Sequence, residues 1–85
     1  NMSSAGSTLH KEHLIVPFDS TTDALALQAC AQRYGLVGRL IPIPRTLSAG
    51  CGMAWKEPVA HRSLLEATLA AENLEHGSIV QMRLR

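Results

Sequence analysis

Hydrophobic periodicity alternates along this chain between strand-like and helix-like stretches, and the order of those stretches restricts the fold more than any other feature. HLIVPF at residues 13–18 is short, apolar and rich in strand formers, and Asp19 to Thr22 follow with turn and cap residues. Ser20-Thr21-Thr22-Asp23 has the spacing of a capping box, so a helix should start there. Ala24, Leu27, Ala31 and Tyr34 carry a helical repeat to Gly35, a left-handed terminator, which predicts a helix over residues 21–34. Leu36 to Pro44 (LVGRLIPIP) reads as a strand, but Pro42 and Pro44 each remove a ladder donor and so put it at a sheet edge. A loop over residues 45–52 then leads to a short extended segment, MAWK.

Pro58 can open a second helix, whose apolar arc of Leu64, Leu65, Thr68, Leu69, Ala71 and Leu74 should stop at Gly77. The final SIVQMRLR alternates. Val80, Met82 and Leu84 face one way, and Gln81, Arg83 and Arg85 are expected to point away from the helices. Strand, helix, strand, strand, helix, strand is the order of an α+β, ferredoxin-like βαββαβ sandwich, a four-stranded antiparallel sheet with two helices on one face.

With 85 residues the chain is too short for two self-sufficient cores, so residues 10–85 are expected to form one domain. The small, polar NMSSAGST start predicts a disordered tail over residues 1–9, with Asn1 ahead of Met2 reading as a cloning remnant. It lacks the basic-then-apolar pattern of a secretory signal. Hydrophobic residues make up 46% and charged residues 18%, too apolar and too weakly charged for a disordered chain. The formal charge of +1, with no block of like charges, removes the electrostatic case for a nucleic-acid binder. The apolar run Leu14–Phe18 is far short of the roughly 20 residues that span a bilayer, so no membrane partner is expected. Two cysteines are too few for a disulfide scaffold and lack zinc-site spacing, which fits a reducing cytoplasm.

Chemistry concentrates in RLIPIPRTLSAGCGMAWK, residues 39–56. Cys51 stands between Gly50 and Gly52, with no neighbouring side chain to shield its sulfur and with backbone N–H groups that glycine lets turn toward an anion. Arg45, six residues earlier, could add positive charge. Both effects favour the thiolate, the form able to accept and hand on a sulfur or selenium atom. The plainer reading makes Cys51 a small turn residue that happens to lie between glycines.

The pattern Pro42, Pro44, Arg45, Leu47, Ser48, Gly50, Cys51, Gly52 resembles the signature of the selenium/sulfur carrier-like family, and Val16 to Leu25 (VPFDSTTDAL) resembles that family's first strand and helix start. The likeness covers residues 13–56 and extends weakly beyond. It implies a cytoplasmic carrier rather than a turnover enzyme, holding the chalcogen as a persulfide or perselenide on Cys51. No tightly bound cofactor is implied beyond that covalent sulfur or selenium. Gly50 and Gly52 would shape the loop, Arg45 and Ser48 would flank the anion, and donor and acceptor enzymes would be the partners. Two positions depart from the family pattern, Gln28 for a frequent glutamate and Thr46 for a frequent acid.

Cys30 lies on the apolar side of the first helix and is expected to fill the core, with a resolving role toward Cys51 as the sharper reading. The four histidines, His10, His13, His61 and His76, show no ligand spacing and predict no metal site. Arg39, Arg83, Arg85 and Trp55 are expected on the open sheet face, either as a solvated surface or as a docking surface for another enzyme or a second copy. Two readings compete with the carrier: a non-catalytic ferredoxin-like interaction or regulatory module, and a small thiol metal chaperone, the latter weakened by the lack of a second loop cysteine.

Overall fold

The computed structural model describes residues 11–47 and 50–84; the tail expected over 1–9 lies outside them, as do Ser48 and Arg85. Four strands, β1 (Glu12–Pro17), β2 (Arg39–Pro42), β3 (Met53–Pro58) and β4 (Val80–Arg83), form one sheet in the order β2-β3-β1-β4. Every pairing is antiparallel. Helix α1 (Thr21–Cys30) joins β1 to β2, and α2 (Arg62–Ala71) joins β3 to β4. This is the α+β ferredoxin-like architecture, with β2 at an edge as its prolines require.

Both helices lie on one face of the sheet. Leu14 and Val16 of β1 and Trp55 of β3 share a single buried cluster with Ala24, Leu27 and Cys30 of α1 and Leu65 and Leu69 of α2. Successive strand residues alternate sides, so one face supplies the core and the other is left to His13, Ile15, Ala54 and Lys56. Phe18, just past β1, is fully buried and contributes about 1.5–3 kcal/mol by its removal from water.

The helix ends explain where the boundaries fall. Ser20 caps α1: its hydroxyl accepts from the Asp23 N–H at 3.0 Å and donates to the Asp23 carboxylate at 2.9 Å. The acid thus answers the cap hydroxyl, whereas a full capping box would turn it back to the cap's own N–H. At the other end the last turn tightens into a 3-10 helix (Ala31–Tyr34), closed by Gly35 at φ 85° with Leu36 N–H reaching Ala31 O. Helix α2 stops well before the expected Gly77. Asn73 takes the left-handed conformation at φ 54°, and Leu74 N–H reaches back to Leu69 O at 3.0 Å, the same motif with asparagine in place of glycine. Gly77 serves the sheet instead. Its N–H donates to Pro17 O at 2.8 Å, and an added Cβ would stand 3.1 Å from the Pro17 ring.

Three expectations about facing are corrected by the register. Gln81 lies opposite Leu14 and Arg83 opposite Glu12, so the polar side chains of β4 share the helix-covered side of the sheet. Val80 and Met82, opposite Ile15 and His13, line the open face instead. On this edge strand both polar residues remain exposed and pair with Glu12: Gln81 donates to the Glu12 carboxylate at 2.5 Å, and the Arg83 guanidinium stands 3.8 Å from the same group. Trp55, expected on the open face, is instead in the core.

Candidate functional site

Cys51 occupies the loop between β2 and β3, at the end of the sheet where β1 passes into α1. The loop is tied at both sides. Ile43 N–H donates to Gly52 O at 2.9 Å, and Leu47 N–H to Pro44 O at 2.9 Å. Across from it, Phe18 N–H donates to Met53 O, Cys51 N–H points to Phe18 O at 3.5 Å, and Gly50 N–H donates to Asp19 Oδ1 at 3.3 Å. The cysteine is thereby seated against the strand-to-helix corner of β1 and α1.

The flanking glycines are required for two different reasons. At Gly50 a Cβ would stand 2.8 Å from the backbone oxygen of Asp19, so the close approach of the two chains excludes a side chain. At Gly52 the space is open, but φ is 73°, a conformation that other residues adopt at a cost of about 1 kcal/mol.

The Cys51 thiol is half-buried and unbonded to any other cysteine. It donates to Phe18 O at 3.2 Å, with Met53 O a longer acceptor at 3.8 Å. Cys30, the only other cysteine in the sequence, is 3% exposed within the core, its thiol directed at Leu27 O. Burial pushes the Cys30 thiol up, and the Glu72 carboxylate adds to the effect, so that sulfur stays protonated. The core-filling expectation for Cys30 stands.

Of the residues expected around Cys51, Arg45 is exposed in the turn after β2, and no hydrogen bond or ion pair joins it to the thiol among the described residues. Ser48 lies outside the described residues. The N–H groups of Gly50 and Cys51 are directed inward to Asp19 and Phe18 rather than out toward an anion. Sequence reasoning does not single out Phe18 and Asp19 as neighbours of the cysteine. A signal for them is present, because VPFDS belongs to one of the two stretches that carry the family resemblance, and the fold brings that stretch against the other.

A second polar cluster is foreshadowed by no motif in the sequence. Glu57 is fully buried at the opposite end of β3 from the loop, and four donors surround its carboxylate. Val37 and Gly38 N–H donate at 3.0 and 2.9 Å, Trp55 Nε1 at 2.8 Å, and His61 Nδ1 lies at 2.6 Å. Burial opposes ionisation, but the bonds from His61, Val37, Trp55 and Gly38 together prevail and hold Glu57 below its ordinary value. No cluster of three or more potential metal ligands occurs among the described residues, and no described helix is long and apolar enough to cross a membrane.

No curated protein and no solved structure matches the chain. A family model does, over residues 13–81, which run from His13 in β1 through both helices and the Cys51 loop to the first two residues of β4. The chain therefore belongs to the family described as "Putative Se/S carrier protein-like".

Proposed function

We propose that this protein carries sulfur or selenium on Cys51. The observation behind this reading is the contrast between the two thiols: one is sealed in the core and the other is half-exposed in a loop that the two family-like stretches build together. Family membership supports the cargo, and the loop supports the atom that bears it.

In the loading step the Cys51 thiol gives up the proton now shared with Phe18 O, and its sulfur attacks the terminal sulfur of a donor persulfide. The bond from Cys51 to that sulfur forms as the donor's S–S bond breaks. The donor departs as a thiolate that takes up a proton, so no outside oxidant or reductant is needed. A donor bearing terminal selenium reacts in the same way. Unloading reverses the roles: an acceptor nucleophile takes the terminal atom and Cys51 leaves as thiolate. Gly52 leaves the space beside the cysteine open and Gly50 lets the loop close on Asp19, and exposed Arg45 supplies positive charge to the anion that loading creates.

The test is intact-protein mass spectrometry after incubation with a low-molecular-weight persulfide. One added sulfur is expected on the native chain and on Cys30→Ala, and none on Cys51→Ala. Sulfur on Cys30, or on neither cysteine, would overturn the assignment.

A further inference from the structure

The face of the sheet turned away from the helices has a composition of its own. Lys56 and Arg39 stand directly opposite each other across β3 and β2, two like charges in a cross-strand pair that is unfavourable by itself. The strand positions that alternate onto this face include no carboxylate, and neither cation enters an ion pair among the described residues. Apolar side chains surround the pair: Ile41 follows Arg39 along the same face, while Ile15, fully buried here without a covering helix, lies opposite Lys56 and Val80. A groove of about 330 Å³ is lined by Arg39, Ile41, Pro42, Pro44, Lys56 and Leu84.

We infer that this groove docks an acidic, apolar segment of a partner protein, the donor or acceptor in the carrier cycle, and to that extent the inference rests on the function proposed above. Charge selects the occupant. Stacking the face on a second copy would set two cations against two more with no carboxylate to answer them, whereas an aspartate or glutamate between apolar side chains matches both the charges and the walls. Position ties the groove to Cys51, because Pro42 and Pro44 lead directly into its loop and the intervening Ile43 is bonded to Gly52. A partner segment seated here lies beside the loop that bears the sulfur.

Two synthetic peptides, one alternating leucine with aspartate and one alternating leucine with lysine, serve as probes in a backbone-amide NMR titration. The Leu/Asp peptide should shift the amides of Ile41, Lys56 and Leu84, and binding should weaken about tenfold or more in Arg39→Glu/Lys56→Glu, which should instead favour the Leu/Lys peptide. Dispersion of the core amides reports folding, and if the double reversal unfolds, Arg39→Gln and Lys56→Gln should each weaken Leu/Asp binding singly. Equal binding of both peptides, no shifts on this face, or shifts that track protein concentration without peptide would each overturn the inference, the last by revealing self-association. Persulfide loading of Cys51 from a small donor, measured on the same variants, separates the two proposals. Loading without peptide binding rejects the groove and leaves the carrier, and peptide binding without loading does the reverse.

Discussion

The thiol of Cys51 and the carbonyl of Phe18 meet at 3.2 Å, although 33 residues separate them along the chain. That contact holds the sulfur at the surface while the backbone of the loop is anchored to β1. Cys30, by contrast, is almost entirely buried in the core. A thiol reagent such as iodoacetamide should therefore modify one cysteine of the native protein rapidly, and peptide mapping should find it at Cys51. The second should react only under unfolding conditions, because burial and the neighbouring Glu72 both oppose its thiolate. Simultaneous modification of both, or of Cys30 first, would show that the core opens more readily than its packing indicates.

The two glycines beside Cys51 should respond differently to substitution. Gly52→Ala places a side chain in open space at positive φ and should destabilise by about 1 kcal/mol, with Gly52→Asn costing less since asparagine tolerates that conformation. Gly50→Ala confronts the Asp19 backbone and must push the loop away from β1, which should both lower the melting temperature and change the alkylation rate of Cys51. Thermal melts of the three variants, with Cys51 alkylation rates alongside, distinguish strain from collision. Equal behaviour of Gly50→Ala and Gly52→Ala would count against the close approach at Asp19.

Much of this arrangement is readable from the residues alone, for reasons that also mark where reading stops. Element order depends on local period and on caps, so the four strands, two helices and the Ser20 cap emerge directly from the chain. The end of α2 does not, because Asn73 and Gly77 compete for the left-handed position and only the bond from Gly77 to Pro17 O shows that the glycine is needed elsewhere. The facing of β4 is likewise not local: alternation separates Val80 and Met82 from Gln81 and Arg83, but their sides are fixed by register against β1. Glu57 is harder still, since a carboxylate in MAWKEP looks like any surface residue until the turn at Val37 and Gly38 is seen to close over it. Within the candidate site, the G-C-G motif draws attention to Cys51, while the groups it touches come from a segment distant in sequence.

Arg45 is exposed near the loop, so its influence on Cys51 should act through the field it presents to an incoming anion. Arg45→Ala should slow loading from an anionic donor by roughly two- to fivefold at low salt, and the difference should vanish near 1 M salt, where screening acts over about 3 Å. Stability should be unchanged, because the side chain forms no bond among the described residues. A loss that persists at high salt would mean direct contact with the thiol or its cargo.

Glu57 makes the stability of the fold depend on acid in a predictable direction. Its folded-state value lies below the ordinary one near 4.5, so its contribution is complete above that value and is lost as pH falls through the folded one. Glu57→Gln keeps the size of the side chain but sets an amide N–H₂ against donors that now share two carboxylate oxygens. At neutral pH, leaving even one or two of those buried donors without an acceptor should cost about 1–3 kcal/mol each. As pH falls below the ordinary carboxylate value, the native chain progressively loses the advantage that ionised Glu57 confers, so the gap in melting temperature between the two proteins should narrow. Trp55 supplies the optical probe, being the one tryptophan in the sequence and bonded to Glu57 Oε1 at 2.8 Å, so its emission should shift in the variant before any unfolding. A melting gap that stays constant from pH 7 to pH 3 would mean that Glu57 is not the group whose ionisation the Val37–Gly38 turn, Trp55 and His61 stabilise.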